Sequence, residues 1–196
     1  MSTLREWINR LRHNRGYGVQ SPAAFHFVMH VLREGRHRYY SYQYIDSIAK
    51  RSKEYSPAHC RRLFRIANAL HPQSILSIDN GRCVEQVLKT ACNNAKYSAT
   101  QDIEHFTAQL MKEPPAELLM IGDTPHYAKA LDKALPHAKA HTAIIIENIR
   151  SSAEKKAWWQ HTINRKEVVV SMDLYNTGLL FFDPQYRKQH YTFHFK

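Results

Sequence analysis

The 196-residue chain holds only three cysteines, Cys60, Cys83 and Cys92, and no pair of them has zinc-ligand spacing. Their odd number and scatter exclude a disulfide framework and make a reducing compartment, the cytoplasm, the expected location. No apolar run approaches the ~20 residues of a membrane span. The stretch "MSTLREWINRLRHNRG" sets Arg5, Arg10 and Arg12 among its apolar residues, where a signal peptide would run unbroken. No membrane insertion is expected. Also missing are a G-x-S-x-G elbow, a phosphate-binding G-K-[ST] loop and a Cys–His nucleophile pattern. Acids are scarce: 17 Asp and Glu against 28 Lys and Arg leave a net charge of +11. Such a field attracts nucleic acid, anionic cofactors or acidic lipid, but it carries no specificity.

What is present suffices for a packed core without staples. The chain is 43% hydrophobic and 11% aromatic, and folding at this length buries about 70% of the unfolded surface. Residues 1–70 read as a helical N-terminal cap. Leu4, Trp7, Ile8 and Leu11 repeat at helical spacing behind Ser2 and Thr3, and "RGYGVQ" breaks the pattern. Ser21-Pro22 starts a second helix with Phe25, Val28, Met29 and Leu32 on one face and Gly35 as its stop. A third carries Tyr40, Tyr44, Ile45 and Ile48. Ser56-Pro57 opens a fourth, with Cys60, Leu63, Phe64, Ala67 and Leu70 inward, and His71-Pro72 ends it.

From residue 71 to 196 the rhythm changes. Short apolar runs at Ile75–Ile78, Leu118–Ile121, Ala143–Ile146 and Val168–Met172, with a weaker one at Tyr97–Thr100, alternate with helical patterns near 82–93, 103–112, 125–135 and 151–163. Continuous apolar strands between helices predict an α/β fold, a Rossmann-like, doubly wound, mainly parallel sheet. "GLLFF" and "HYTFHF" follow without a helix between them and predict antiparallel C-terminal strands.

Ligands of such sheets bind beyond the carboxyl ends of the strands. "SILSIDNGRCVEQVL" opens as a cofactor-binding strand–loop–helix unit does, with one glycine where two or three are usual. The exits to inspect are Asp79-Asn80-Gly81, Gln101-Asp102, Gly122-Asp123 and Glu147-Asn148.

The segments "RGYGVQSPAAFHFV", "YYSY", "SPAHCRRLFRIANALHPQSIL", "SMDLYNTGLLFF" and "QHYTFHF", in this order, resemble bacterial class I S-adenosylmethionine-dependent methyltransferase-like proteins with a helical N-terminal extension. The resemblance covers nearly the whole chain and implies a methyltransferase-type domain over 71–196. It implies S-adenosylmethionine as cofactor, held along Asp79, Asn80, Gly81, Asp102, Gly122 and Asp123, and methyl transfer to a small molecule, at oxygen. No catalytic residue is assigned.

The functional loops depart from the family pattern. Where it places an acid, a glycine and a second glycine, the ungapped positions are Ser77, Asp79 and Cys83. Asp79 or Asn80 has a competing role as cap of the helix beginning near Arg82. Asp102 is either the acid for the ribose hydroxyls or the N-cap of the helix at Ile103. Room remains for only one strand and one helix between the first loop and "ELLMIG", so one β–α element is missing. At "IIIENIR" one carboxylate and one amide stand where paired aspartates hold a divalent ion in metal-assisted O-methyl transfer, and no metal is expected. The alternative is a catalytically inactive descendant of the fold, a pseudoenzyme kept as a binding or scaffold module. His26 and His30 have metalloprotease spacing, but Phe27 stands where the base would be. Arg36 and Arg38 among tyrosines suit base stacking, although a helix packing its aromatics on the neighbouring domain is the favoured reading.

Overall fold

The computed structural model describes residues 21–33 and 39–193. The expected helix on Leu4, Trp7, Ile8 and Leu11, the stop at Gly35, and Arg36 and Arg38 lie outside the described residues. The described residues form two compact units, one of 21–72 and 81–95, the other of 73–80 and 96–193.

The first unit is helical. Helix α1 (Pro22–Phe27) is capped by the Ser21 hydroxyl, which accepts from the Ala24 amide, and runs on as a π-helical turn, Val28–Leu32. Helix α2 (Tyr42–Ser52) ends on Lys53 in the left-handed region. Helix α3 (Pro57–Leu70) begins at Ser56, whose hydroxyl accepts from the His59 amide, and ends on His71 at φ 48°. Helix α4 is Arg82–Ala91. Ile45, Ile48, Leu63, Phe64, Val84, Val87 and Leu88 are buried, as the helical periodicity requires. Arg65 lies among them. Its guanidinium donates to the carbonyls of Val31 (2.6 Å) and Leu32 (2.9 Å) and to the Tyr42 hydroxyl (3.1 Å), so each of its three nitrogens has a partner. Phe25, read on one face with Val28, Met29 and Leu32, is exposed, whereas Val28 and Leu32 are buried.

The second unit is a seven-stranded sheet in the order β2-β1-β3-β4-β6-β5-β7. Its strands are β1 (Ser74–Ile78), β2 (Lys96–Thr100), β3 (Leu118–Ile121), β4 (Ala143–Ile146), β5 (Val170–Asp173), β6 (Gly178–Phe181) and β7 (Gln189–Thr192). Strands β2, β1, β3 and β4 pair in parallel, β6 runs antiparallel to both β4 and β5, and β7 lies parallel to β5. The C-terminal reversal thus resides in β6, inside the sheet rather than at its end. Only helix α5 (Ile103–Leu110) separates β2 from β3 among the described residues, which leaves β2 as an edge strand.

Helix α6 (Tyr127–Ala134), a 3₁₀ turn (Leu135–His137) and helix α7 (Ala153–Thr162) complete the unit. Alternate strand residues, Leu76 and Ile78, Leu119 and Ile121, Ile144 and Ile146, build one core with Phe106, Leu131 and Trp159. Gly178 is required there: a Cβ would lie 2.5 Å from the Trp159 ring. No described helix is long and apolar enough to cross a membrane.

Candidate functional site

Parallel pairing brings the exits of β1, β2, β3 and β4 to one edge of the sheet. After Ile78 the chain turns at Asp79, at φ 51°, a left-handed position that Asp tolerates better than most residues. The Asp79 amide donates to the Thr100 carbonyl at 3.0 Å. Asn80 then folds back: its Nδ2 is 2.9 Å from Ser77 Oγ, 3.0 Å from the Ile78 carbonyl and 3.1 Å from the Met120 carbonyl. Its Oδ1 is buried and has no hydrogen-bond partner among the described residues. Gly122, just past β3, receives this turn. A Cβ there would lie 2.0 Å from the Asp79 carbonyl oxygen and 3.1 Å from Asn80 Oδ1.

Neither Asp79 nor Asn80 caps the following helix, contrary to the capping alternative. Gly81 is the N-cap of α4, with no side-chain hydrogen bond to it. Gly81 has φ −70°, so the left-handed conformation that a loop glycine would supply is taken by Asp79 instead. Within the helical unit a Cβ on Gly81 would meet the Glu54 carboxylate at 2.0 Å. Cys83 is buried with its sulfur 3.6 Å from that of Cys60.

At the β2 exit Asp102 caps α5, its Oδ1 accepting from the His105 amide at 2.6 Å. Thr100 Oγ1 accepts from the Asp102 amide at 3.0 Å and fixes the loop. The second carboxylate oxygen of Asp102, an exposed residue, has no hydrogen-bond donor among the described residues. One oxygen caps and one is open, so the two roles weighed for this residue are compatible.

The β3 and β4 exits meet through Asp123. Lys155 Nζ donates to Asp123 Oδ1 and Asn148 Nδ2 to Asp123 Oδ2, both at 3.0 Å. Lys155 comes from the first turn of α7, where the Ser152 hydroxyl accepts from its amide at 3.0 Å. Its side chain is 2% exposed against 50% for Asp123, and its ammonium lies 4.8 Å from the centroid of the Tyr127 ring. Burial, and secondarily the charge of Glu154, push the Tyr127 phenol above its ordinary range. Glu147 is fully buried and accepts from Thr177 Oγ1 at 3.2 Å. The His126 side chain is exposed and its amide donates to Thr124 Oγ1.

Two further charged residues escaped the sequence reading. Arg150, past β4, donates to Asp173 Oδ2 at the end of β5 at 2.6 Å, and the Tyr175 amide donates to Asp173 Oδ1 at 2.8 Å. Burial still dominates, and it holds the Asp173 carboxyl above the usual carboxylate range. Lys155 had a sequence signal: it stands four and seven residues before Trp159 and Thr162, and all three are buried. That spacing marks the inward face of a helix.

The divalent ion that such an exit would hold in metal-assisted transfer does not fit these residues. Both Asp123 oxygens are taken, one by an ammonium, and Asn148 turns its NH2 rather than its oxygen toward the carboxylate. An adenosyl cofactor fits better. Asp102 offers an open carboxylate oxygen, and Asn80 Oδ1 is a buried acceptor without a donor.

No family model and no curated protein matches the chain. Solved structures do. The O-methyltransferase TomG from Streptomyces achromogenes, in complex with S-adenosylmethionine, is 10% identical with a TM-score of 0.55, over 80% of this chain and 94% of that one. The methyltransferase PaMTH1 from Podospora anserina, bound to S-adenosylhomocysteine, is 9% identical with a TM-score of 0.54, over 83% and 96%. A methyltransferase from Geobacter sulfurreducens is 12% identical with a TM-score of 0.55, over 80% and 93%. The chain has the Rossmann-like fold of the class I S-adenosylmethionine-dependent methyltransferases.

Proposed function

We propose that this protein binds S-adenosylmethionine at the carboxyl edge of its sheet and methylates an oxygen of a small molecule. The open oxygen of Asp102 carries the reading: an acid at the end of β2, beside β1, suits ribose hydroxyls, and the cap it forms with its other oxygen keeps it in place. Asn80 Oδ1 supplies a second acceptor, and Asp79, Gly122 and Asp123 border it. When bound, the cofactor supplies a methyl group on a sulfonium. What the chain contributes is position, since in-line placement of donor and acceptor accounts for much of such a reaction's rate. The scattered thiols suit a reducing compartment, and the cytoplasm is the proposed location.

A second reading is a methyltransferase fold kept as a binding or scaffold module. The seat of Asp79 on Gly122 favours it, because the turn fills space at the β1–β3 crevice with its own backbone.

Calorimetric titration with S-adenosylhomocysteine separates the two. Saturable heat with a Kd below ~1 mM is expected, equivalent to about −4 kcal/mol or better. Absence of heat at millimolar ligand with folded protein overturns the enzyme reading and leaves the module. Binding of a random oligonucleotide that falls steeply with salt would instead direct attention to the net charge of +11.

A further inference from the structure

We propose that Lys155 is a built-in cation that replaces a divalent metal at the acceptor side of this site. Asp123, at the end of β3, is half-exposed, and an acid there beside an amide from the end of β4 is a one-carboxylate, one-amide donor set of the kind Mg²⁺ takes with water. Here the set is closed from inside. The Lys155 ammonium is 3.0 Å from Asp123 Oδ1, and a metal on that oxygen would stand beside a positive charge. Asn148 presents its Nδ2, not its oxygen, to Asp123 Oδ2, so the pair does not offer two oxygens to one ion.

Lys155 is well built for this role. It is 98% buried by its side-chain surface, with 2% exposed. Burying a lone ammonium is costly, and a residue serving only to cover the core would be apolar. Its three N–H groups meet one carboxylate oxygen and one ring face, that of Tyr127. The third has no acceptor among the described residues. The replacement of the metal does not depend on the methyl-transfer reading.

The test uses Mn²⁺ alone, followed by electron paramagnetic resonance on the full chain without cofactor. Wild type should leave Mn²⁺ free into the millimolar range, and its melting temperature should not move with Mg²⁺ or EDTA. Lys155→Met, which removes the charge and keeps the length, should bind Mn²⁺ about ten-fold or more tightly than wild type. Adding Asp123→Asn to that variant should abolish the gain. Lys155→Gln serves as a second neutral variant should circular dichroism show the Met variant unfolded. Wild-type Mn²⁺ binding that Asp123→Asn removes would overturn the proposal. So would folded neutral variants that bind no more tightly than wild type. Because no cofactor enters, failure of the S-adenosylhomocysteine titration leaves this result standing.

Discussion

The carbonyl oxygen of Asp79 lies where a side chain on Gly122 would have to go, 2.0 Å from the position of its Cβ. The contact ties the exit of β1 to the exit of β3 and makes Gly122 irreplaceable for a reason unrelated to its own φ. The turn cannot simply lift, because Asn80 is bonded to the Ile78 and Met120 carbonyls beneath it.

Gly122→Ala should therefore destabilise the fold by about 3 kcal/mol, the upper end for overpacking, since backbone rather than a flexible side chain must yield. Asn80→Ala should cost about 1–3 kcal/mol through the acceptors it leaves unpaired. Urea unfolding of each variant measures both.

Asp102 allows its two roles to be separated. Asp102→Ala removes the cap of α5 and should cost about 1 kcal/mol. Asp102→Asn keeps an oxygen for the His105 amide and should leave stability nearly unchanged. Yet it has no second oxygen to offer, so affinity for S-adenosylhomocysteine should fall about ten-fold, the loss of one charge-assisted hydrogen bond. Equal affinity in wild type and Asp102→Asn would remove Asp102 from the site.

The Arg150–Asp173 pair predicts a pH signature. Burial raises the Asp173 carboxyl above its ordinary value, so the folded state holds this proton more tightly than the unfolded chain does. The stability linked to it is complete at low pH and is lost as pH rises through the folded value. Arg150→Met removes the compensating charge and should cost about 3 kcal/mol near neutral pH. The penalty should shrink as pH falls into the range where Asp173 is protonated. Denaturant melts across that range check the slope; a penalty constant with pH would contradict it.

Burial pushes the Cys92 thiol up to about 11, and its sulfur donates to the Ala67 carbonyl at 3.3 Å. Since the thiolate is the nucleophile, Cys92 should alkylate far more slowly in the native protein than in denaturant at mildly alkaline pH. Peptide mass spectrometry after iodoacetamide gives the ratio.

Much of the fold was legible because its signals are local. The runs Leu118–Ile121 and Ala143–Ile146 are strands β3 and β4 residue for residue, and Ser21-Pro22 and Ser56-Pro57 start helices with their hydroxyls as caps. The short interval before "ELLMIG" foretold that only one strand precedes β3 on that side of β1. Charged core residues were the failures. Arg65 and Lys155 were not singled out, because each finds its partners on a separate segment: Val31 and Leu32 in one case, Asp123 and Tyr127 in the other.

The sequence by itself determined the order of elements, the parallel sheet and the acids at its strand exits, for these follow from apolar periodicity and capping within a few residues. Tertiary structure decided what those acids do. Whether Asp102 keeps an oxygen free, whether Asn80 caps a helix or bridges two strands, and whether Asp123 faces a metal or an ammonium depend on atoms brought together from distant positions. Hydrogen bonds and charges act over a few ångströms, and only the folded chain sets which groups come that close.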